Sequence, residues 1–238
     1  MLTSLTSCEV WVYARNASAL HDFRDDILGH CIIDTADIPE KVDLTILAVN
    51  DDQIGPVSHQ FAWPGLVVHT SGTVAVTALV QERRGVLWTL QSLKKNQETQ
   101  YQNIPFFIQA STEKDTSYLK HLLGSISSTI YVIDDAQRLK VHLSAVITNN
   151  FSNHLYQIAN EILATTSVSF DVLLPIIEEE TRKIKTMNPF EIQTGPARRG
   201  DLGTIEKHKH LLASDPESLA IYQSITKSIL KKYGHDQL

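Results

Sequence analysis

The chain has 238 residues, 42% of them hydrophobic, with 27 acidic against 21 basic side chains and a formal net charge of −6. That length and apolar content suit one large domain or two modest ones with real cores, and the acidic balance, without a long Lys/Arg cluster, argues against a nucleic-acid partner. No segment has the length and apolarity of a membrane span, MLTSLTSCEVW lacks a basic n-region, and Cys8 and Cys31 are too few for a disulfide framework, so a cytoplasmic location with no membrane partner is expected.

From Glu9, short apolar β-branched runs alternate with helical stretches: EVWVY, SALHDFRDDIL, CIID, DLTILAV, LVVHT, PFFIQA and TIYVI. Strands separated by helices of this size imply crossover connections and a mostly parallel α/β sheet. Ligands in such sheets bind at the carboxyl ends of the strands, so the residues that follow each run carry the most information. After EVWVY come Arg15 and Asn16, where an acidic side chain would bind the ribose hydroxyls of NAD. A guanidinium there suits a 2′-phosphate and hence NADP; the plain alternative is an exposed cation at a strand end. After DLTILAV, Asn50, Asp51 and Asp52 open a helix at the expected cofactor edge, although capping alone would explain them. At the third edge, His69-Thr70-Ser71-Gly72-Thr73 sets hydroxyls beside a glycine that lets backbone approach a ligand, or simply makes a tight turn.

A dinucleotide-binding domain of this kind opens with a strand and a Gly-rich turn that holds the pyrophosphate, yet no G-x-G occurs in this chain. MLTSLTSC reads as the end of the first helix and EVWVY as the second strand, so the first strand and its turn have no counterpart. In the usual order that strand is central, between EVWVY and DLTILAV. Its loss would orphan backbone groups on both neighbours at roughly 1 to 3 kcal/mol for each buried group left unpaired. Two expectations follow: the natural protein extends upstream of Met1, or the two neighbouring strands pair directly and the pyrophosphate site is gone.

After TIYVI, Asp134 and Asp135 offer an N-cap for a long helix, and a domain boundary is expected near residue 135, giving a dinucleotide-binding domain over 1–135 and a helical domain over 136–238. The stretch from Arg138 to Ala164 contains neither Gly nor Pro and reads as one helix. Ile147, Phe151, Leu155, Ile158 and Ile162 form an apolar stripe, and Asn149, Asn153, Tyr156 and Asn160 a polar one. Asn is a poor helix former, so this polar face reads either as a solvated surface or as a wall of amides facing a ligand. SFDVLLPIIEEETRKIKTM then reads as helical with a late start at Pro175, Asn188-Pro189-Phe190 as a breaker, and Asp201 as the N-cap of a helix through Leu212. Ser214-Asp215-Pro216-Glu217 caps the last helix, which Gly234 can stop.

Four segments together, TSG at 70–72, TLQ at 89–91, HLSAVITNNFSNHL at 142–155 and QTGPARRGD at 193–201, resemble an uncharacterised bacterial family. Its members combine a Rossmann-like NADP-binding domain with a helical C-terminal domain of unknown function, and are distantly related to pyrroline-5-carboxylate reductase and the deazaflavin-linked NADP reductases. The resemblance implies an NADP-dependent oxidoreductase, dimeric through the helical domain, with a substrate cleft between domains. The family's Gly-rich turn has no counterpart here.

Hydride transfer between a nicotinamide and a small C=O or C=N compound requires proton or hydrogen-bond donors near the acceptor atom. His142, Asn149 and Gln91 are the catalytic candidates, with His142 ranked above His154 as the acid. Arg15, Asn16, Asn50, Asp51, Thr70, Ser71 and Gly72 are the cofactor-binding candidates. Thr89, Asn153, Gln193, Thr194, Gly195, Arg198 and Arg199 are the substrate-binding candidates, the two arginines as a clamp for an anionic substrate or as groups pairing at the next helix start. Arg199-Gly200-Asp201 spells an adhesion tripeptide by chance, and His208 and His210, two apart on a helix, point to different sides, so no metal site is expected. No G-x-S-x-G elbow or P-loop is present. The leading expectation is an NADP-dependent oxidoreductase of a small anionic carbonyl or imine compound, acting as a homodimer. The alternative is a non-catalytic NADP-binding or ligand-sensing dimer.

Overall fold

A computed structural model describes residues 9–16, 20, 29–91 and 101–235. MLTSLTSC and Cys8 lie outside the described residues, and of SALHDFRDDIL only Leu20 is described, as a buried helical residue. The chain divides into two compact units, Met1–Asn149 and Asn150–Leu238. That division falls later than the boundary read near residue 135, because the helix that begins at Asp135 packs on the sheet through Arg138, Val141 and His142 before leaving the first unit.

The first unit is a mostly parallel α/β structure. Strands β1 (Val10–Tyr13) and β2 (Gly29–Ile32) pair in parallel as one small sheet. A second sheet runs in the order β3 (Leu44–Leu47), β4 (Leu66–His69), β5 (Arg84–Thr89), β6 (Phe106–Ala110) and β7 (Ile130–Val132). Among the described residues β1 and β3 belong to different sheets, so the direct pairing of these two strands, one of the two expectations from sequence, does not occur. The runs read from the sequence omit β5, which lies between β4 in parallel and β6 in antiparallel register. The reversal at β6 has a local cause. Leu90 N–H donates to Pro105 O (3.2 Å), so the chain returns at the same end of the sheet and needs no crossover.

Burial explains the rest of the layering. All four residues of β4 are buried, as expected for a parallel strand covered on both faces. Leu66 and Val68 face the helix α2 (Glu113–Gly124) through Leu119 and Leu123, together with Leu87, Phe106 and Ile108. Val67 faces the other way, onto Ile54 and Val57 of α1 (Asp51–Gln60). On that second face Val86, Trp88 and Phe107 meet Val141 of α3 (Asp135–Ala145). Helix α2 is tied down by Asp115, a buried carboxylate that accepts from Arg83 Nη2 (2.6 Å), Arg83 Nε (3.1 Å) and Thr112 Oγ1 (2.9 Å); the Arg83 guanidinium holds this carboxyl below its ordinary range. Helix α3 starts on a capping box in which Asp134 and Gln137 each satisfy the other's backbone N–H.

The stretch expected as one helix from Arg138 is interrupted. After α3 the backbone widens into a π turn over Val146–Phe151 and resumes as α4 (Ser152–Leu163). Asn149 and Asn150 favour this break because their amides compete for the backbone, and Thr148 Oγ1 donates to Ser144 O (2.9 Å) where the ladder loosens. Such π insertions recur at functional sites.

The second unit is helical. A 3-10 turn over Phe170–Leu173 precedes α5 (Leu174–Lys183), with Pro175 in its first turn, the expected late start. Asn188 caps a one-turn helix, α6 (Pro189–Ile192), so the breaker also starts a helix. Then follow α7 (Pro196–Arg199), α8 (Leu202–Leu211) on its N-cap Asp201, and α9 (Pro216–Lys232) on its N-cap Asp215. Among the described residues no helix is long and apolar enough to cross a membrane.

Candidate functional site

The loop after β4 is where the first unit gathers most of its candidates. Ser71 Oγ accepts from Thr73 N (3.0 Å) and Val74 N (3.0 Å), a side-chain turn that folds Thr70–Val74 back over the sheet. Thr73 Oγ1 donates to Asp51 Oδ2 (2.7 Å), so Asp51 stands beside this loop at the start of α1. Asn50 occupies the N-cap position of α1, but its side chain makes no capping bond there.

Gly72 is buried at the centre of the arrangement. A Cβ added to it would lie 2.7 Å from Cδ2 of His142 and 2.9 Å from Cε2 of Trp88, so only glycine lets the loop approach these two rings. His142 and Trp88 are themselves neighbours, with ring centroids 5.9 Å apart at 49°. The imidazole is thus walled by backbone on one side and by indole on another. Neither ring nitrogen has a hydrogen-bond partner among the described residues.

A buried polar layer lies beneath. His69, Val86 and Gln109 are cross-strand neighbours on one face, and Arg138 of α3 reaches down to them. His69 is wholly buried. Its Nδ1 accepts from Ser71 N (3.2 Å), which leaves the proton on Nε2, an atom with no partner. Burial, followed by the nearby Arg138 cation, pushes its pKa down from 6.5 to about 4, so the ring is neutral at physiological pH. Neither His69 nor Arg138 is among the site candidates read from sequence, although His69 heads the third strand edge. The signal was present only for His69, which ends an apolar run at a strand's carboxyl edge.

The other candidates are distributed more widely. Thr89 closes β5 and donates from Oγ1 to Pro105 O (3.3 Å), while Gln91, two residues on, is exposed. Arg15 and Asn16 follow β1 and are exposed. The neighbouring Tyr13 packs against Phe61 and Trp63 past the C-terminal end of α1. Asn149 in the π turn and Asn153 in α4 are exposed, and their amides bond to none of the described residues.

In the second unit, Thr194 and Gly195 edge an apolar groove of about 320 Å³ whose walls include Leu155, Ile158, Ile221 and Ile225. Gln193 Nε2 donates to Thr194 O (3.0 Å). Arg198 lies over the Tyr233 ring, 4.2 Å from its centroid, and that ring stacks on Phe190. Asp201 caps α8 as expected, accepting from Thr204 N (3.0 Å) and Thr204 Oγ1 (2.8 Å), and these bonds with the Arg199 and Lys207 charges hold its carboxyl below the ordinary range. His208 Nδ1 meets Tyr222 OH (2.9 Å). Among the described residues no group of three His, Cys, Asp or Glu could hold a metal ion.

Comparison with solved structures shows where this fold recurs. A Bacteroides fragilis protein described as a "putative NADP oxidoreductase" is 32% identical over 93% of this chain and 88% of its own, with a TM-score of 0.81. A Thermotoga maritima protein is 18% identical over 94% of this chain and 91% of its own, with a TM-score of 0.78. The 1-pyrroline-5-carboxylate reductase of Streptococcus pyogenes shares the fold at 9% identity, over 100% of this chain and 93% of its own, with a TM-score of 0.63. No curated protein matches the chain. The fold, a Rossmann-like α/β unit followed by helices, is therefore that of proteins described as NADP oxidoreductases and pyrroline-5-carboxylate reductases. Residues 104–229 match one family over more than half of the sequence, and the chain belongs to it: the family described as Domain of unknown function (DUF2520).

Proposed function

We propose that this protein is an NADP-dependent oxidoreductase of a small anionic carbonyl or imine compound, with His142 as its proton donor. The observation that carries this reading is the half-buried imidazole of His142, set between Gly72 and Trp88 with both nitrogens free of described partners. Its likeness to a protein described as an NADP oxidoreductase, at 32% identity, supports the cofactor class.

The residues present fit part of that cofactor. Arg15, an exposed cation after β1, suits a 2′-phosphate, and the Thr70–Thr73 loop with Asp51 offers hydroxyl and backbone groups at a strand's carboxyl end. The diphosphate has no Gly-rich turn in this sequence, and Asp51 and Asp52 make the start of α1 a poor phosphate site. When bound, the nicotinamide supplies or accepts the hydride. The chain's part is the proton: His142 gives it to the carbonyl oxygen or imine nitrogen as charge builds there, a contribution of about 10²–10⁴ in rate. Asn149 and Gln91 add hydrogen bonds to the substrate. In the second unit, Arg198 and Arg199, with the hydroxyl of Thr194, are groups that suit a carboxylate.

The same reading includes a homodimer formed through the second unit, supported by the apolar side chains exposed along α4 and its neighbours, among them Phe151, Leu155, Ile162 and Ile176. Light scattering at micromolar concentration should give twice the chain mass; a monomer overturns it.

The test of the activity is titration with NADPH and NADH, followed by a screen of keto and imino acids. Preference for NADPH and turnover that is lost in His142→Gln and reduced in Asn149→Ala are expected. Failure to bind either nucleotide overturns the proposal. NADPH binding without turnover across the screen favours a non-catalytic NADP-binding or ligand-sensing dimer.

A further inference from the structure

We propose that Arg138 is the positioning residue for His142: its guanidinium pins the first turns of α3 to the loop after β4 and to strand β6, and thereby holds the imidazole one turn later between Gly72 and Trp88. Arg138 is 1% exposed. Its Nη1 donates to Gln109 Oε1 of β6 (2.9 Å), and its Nη2 donates to Val74 O and to Asp135 Oδ1 (2.7 Å). Asp135 in turn accepts from Val76 N through both oxygens (3.2 Å each). One side chain thus joins a helix, a loop and a strand. Residues four apart share a helix face, so fixing Arg138 against the sheet fixes the rotation at which His142 leaves α3.

Arg138 Nε and His69 Nε2 are both buried and unpartnered. Removing one member of a buried charged network strands the others, so the guanidinium both fastens α3 and sets the orientation of the loop and of the helix face bearing His142. Because the Gly72 contact leaves no slack for a Cβ, a small rotation of α3 would drive the imidazole into the loop or away from Trp88.

The proposal gains its catalytic meaning from the reading of His142 as proton donor, but its test does not depend on turnover. The full chain with ¹³C-labelled histidine is observed by NMR, with the His142 signals assigned by their absence in His142→Gln. Trp88 displaces these signals by its ring current. In Arg138→Met that displacement should fall by about half or more, with the far-UV circular dichroism unchanged and, apart from His69, which feels the Arg138 charge directly, the other histidine signals unchanged. Arg138→Lys, which keeps the charge but not the fork, should give an intermediate displacement. Unchanged His142 signals in a folded Arg138→Met overturn the proposal. If that variant fails to fold, the Asp135→Asn, Arg138→Met pair, which removes the stranded carboxylate as well, and Arg138→Lys decide: His142 signals moved from their wild-type positions support the role, and wild-type signals overturn it. Turnover at the wild-type rate in His142→Gln would remove the donor reading while leaving the clamp standing.

Discussion

Strand β4 and helix α4 are both rich in apolar residues, and the two units treat them in opposite ways. Every residue of Leu66–His69 is buried, between α1 on one face and α2 on the other, and three apolar clusters fill the first unit. No residue of Ser152–Leu163 is buried, and the buried apolar side chains of the second unit are only Ile192, Ala197 and Ile205 among the described residues. Ile176 is 68% exposed and Leu211 79%. A sheet covered on both faces completes its own core. A set of amphipathic helices with apolar stripes left uncovered has not, and each stripe is a surface that another molecule can cover.

Substitutions can break or sharpen this contrast. The largest effect is expected in the first unit's core, where Phe106→Ala should cost about 3 to 5 kcal/mol, seen as a lower denaturant midpoint. Phe151→Ala, at an exposed position, should change the stability of an isolated chain by less than about 0.5 kcal/mol. A larger, concentration-dependent loss there would show that a second copy covers this surface.

Acid should strike the first unit through His69. The unfolded ring takes up its proton near pH 6.5 and the folded ring only near pH 4, so the unfolded chain binds the extra proton between these values. Stability is therefore full above pH 6.5 and falls as the pH drops toward 4, by as much as about 3 kcal/mol. His69→Gln should flatten that slope in denaturation curves taken across the range. Gly72→Ala comes next, with an expected loss of roughly 1 to 3 kcal/mol from the clash with His142 and Trp88. In the second unit, Asp215→Ala removes the bond to Ser218 N (3.1 Å) at the start of α9 and should cost about 1 kcal/mol, more than Phe151→Ala in an isolated chain.

Much of this organisation was legible in the residues. Alternating runs announced a mostly parallel sheet, and the caps at Asp134, Asp201 and Asp215 stand where short polar side chains precede helical periodicity. Gly72 and His142 were both singled out, although nothing in a sequence could show that one abuts the other, seventy residues apart along the chain. The strand Arg84–Thr89 is missing from the runs, although Thr89 and Gln91 read as residues of a strand edge, because Gly85 and Trp88 do not resemble a β-branched run; its identity rests on pairing with two neighbours. The π turn was hidden for a related reason. Periodicity reads a helix as continuous until a hydrogen-bond ladder shows otherwise, and only the Asn149-Asn150 pair hinted at a break.

Composition, local propensity and capping chemistry thus determined by themselves most of the strands and helices, since those choices depend on neighbours within a few residues, but not the strand Arg84–Thr89 or the π turn. The tertiary structure alone decided that Arg138 would be buried against β6, that His69 would be held neutral, and that Gly72 would meet His142 and Trp88. The physical reason is that burial, low dielectric and steric exclusion belong to pairs of groups brought together by the fold, and no single residue carries them along the chain.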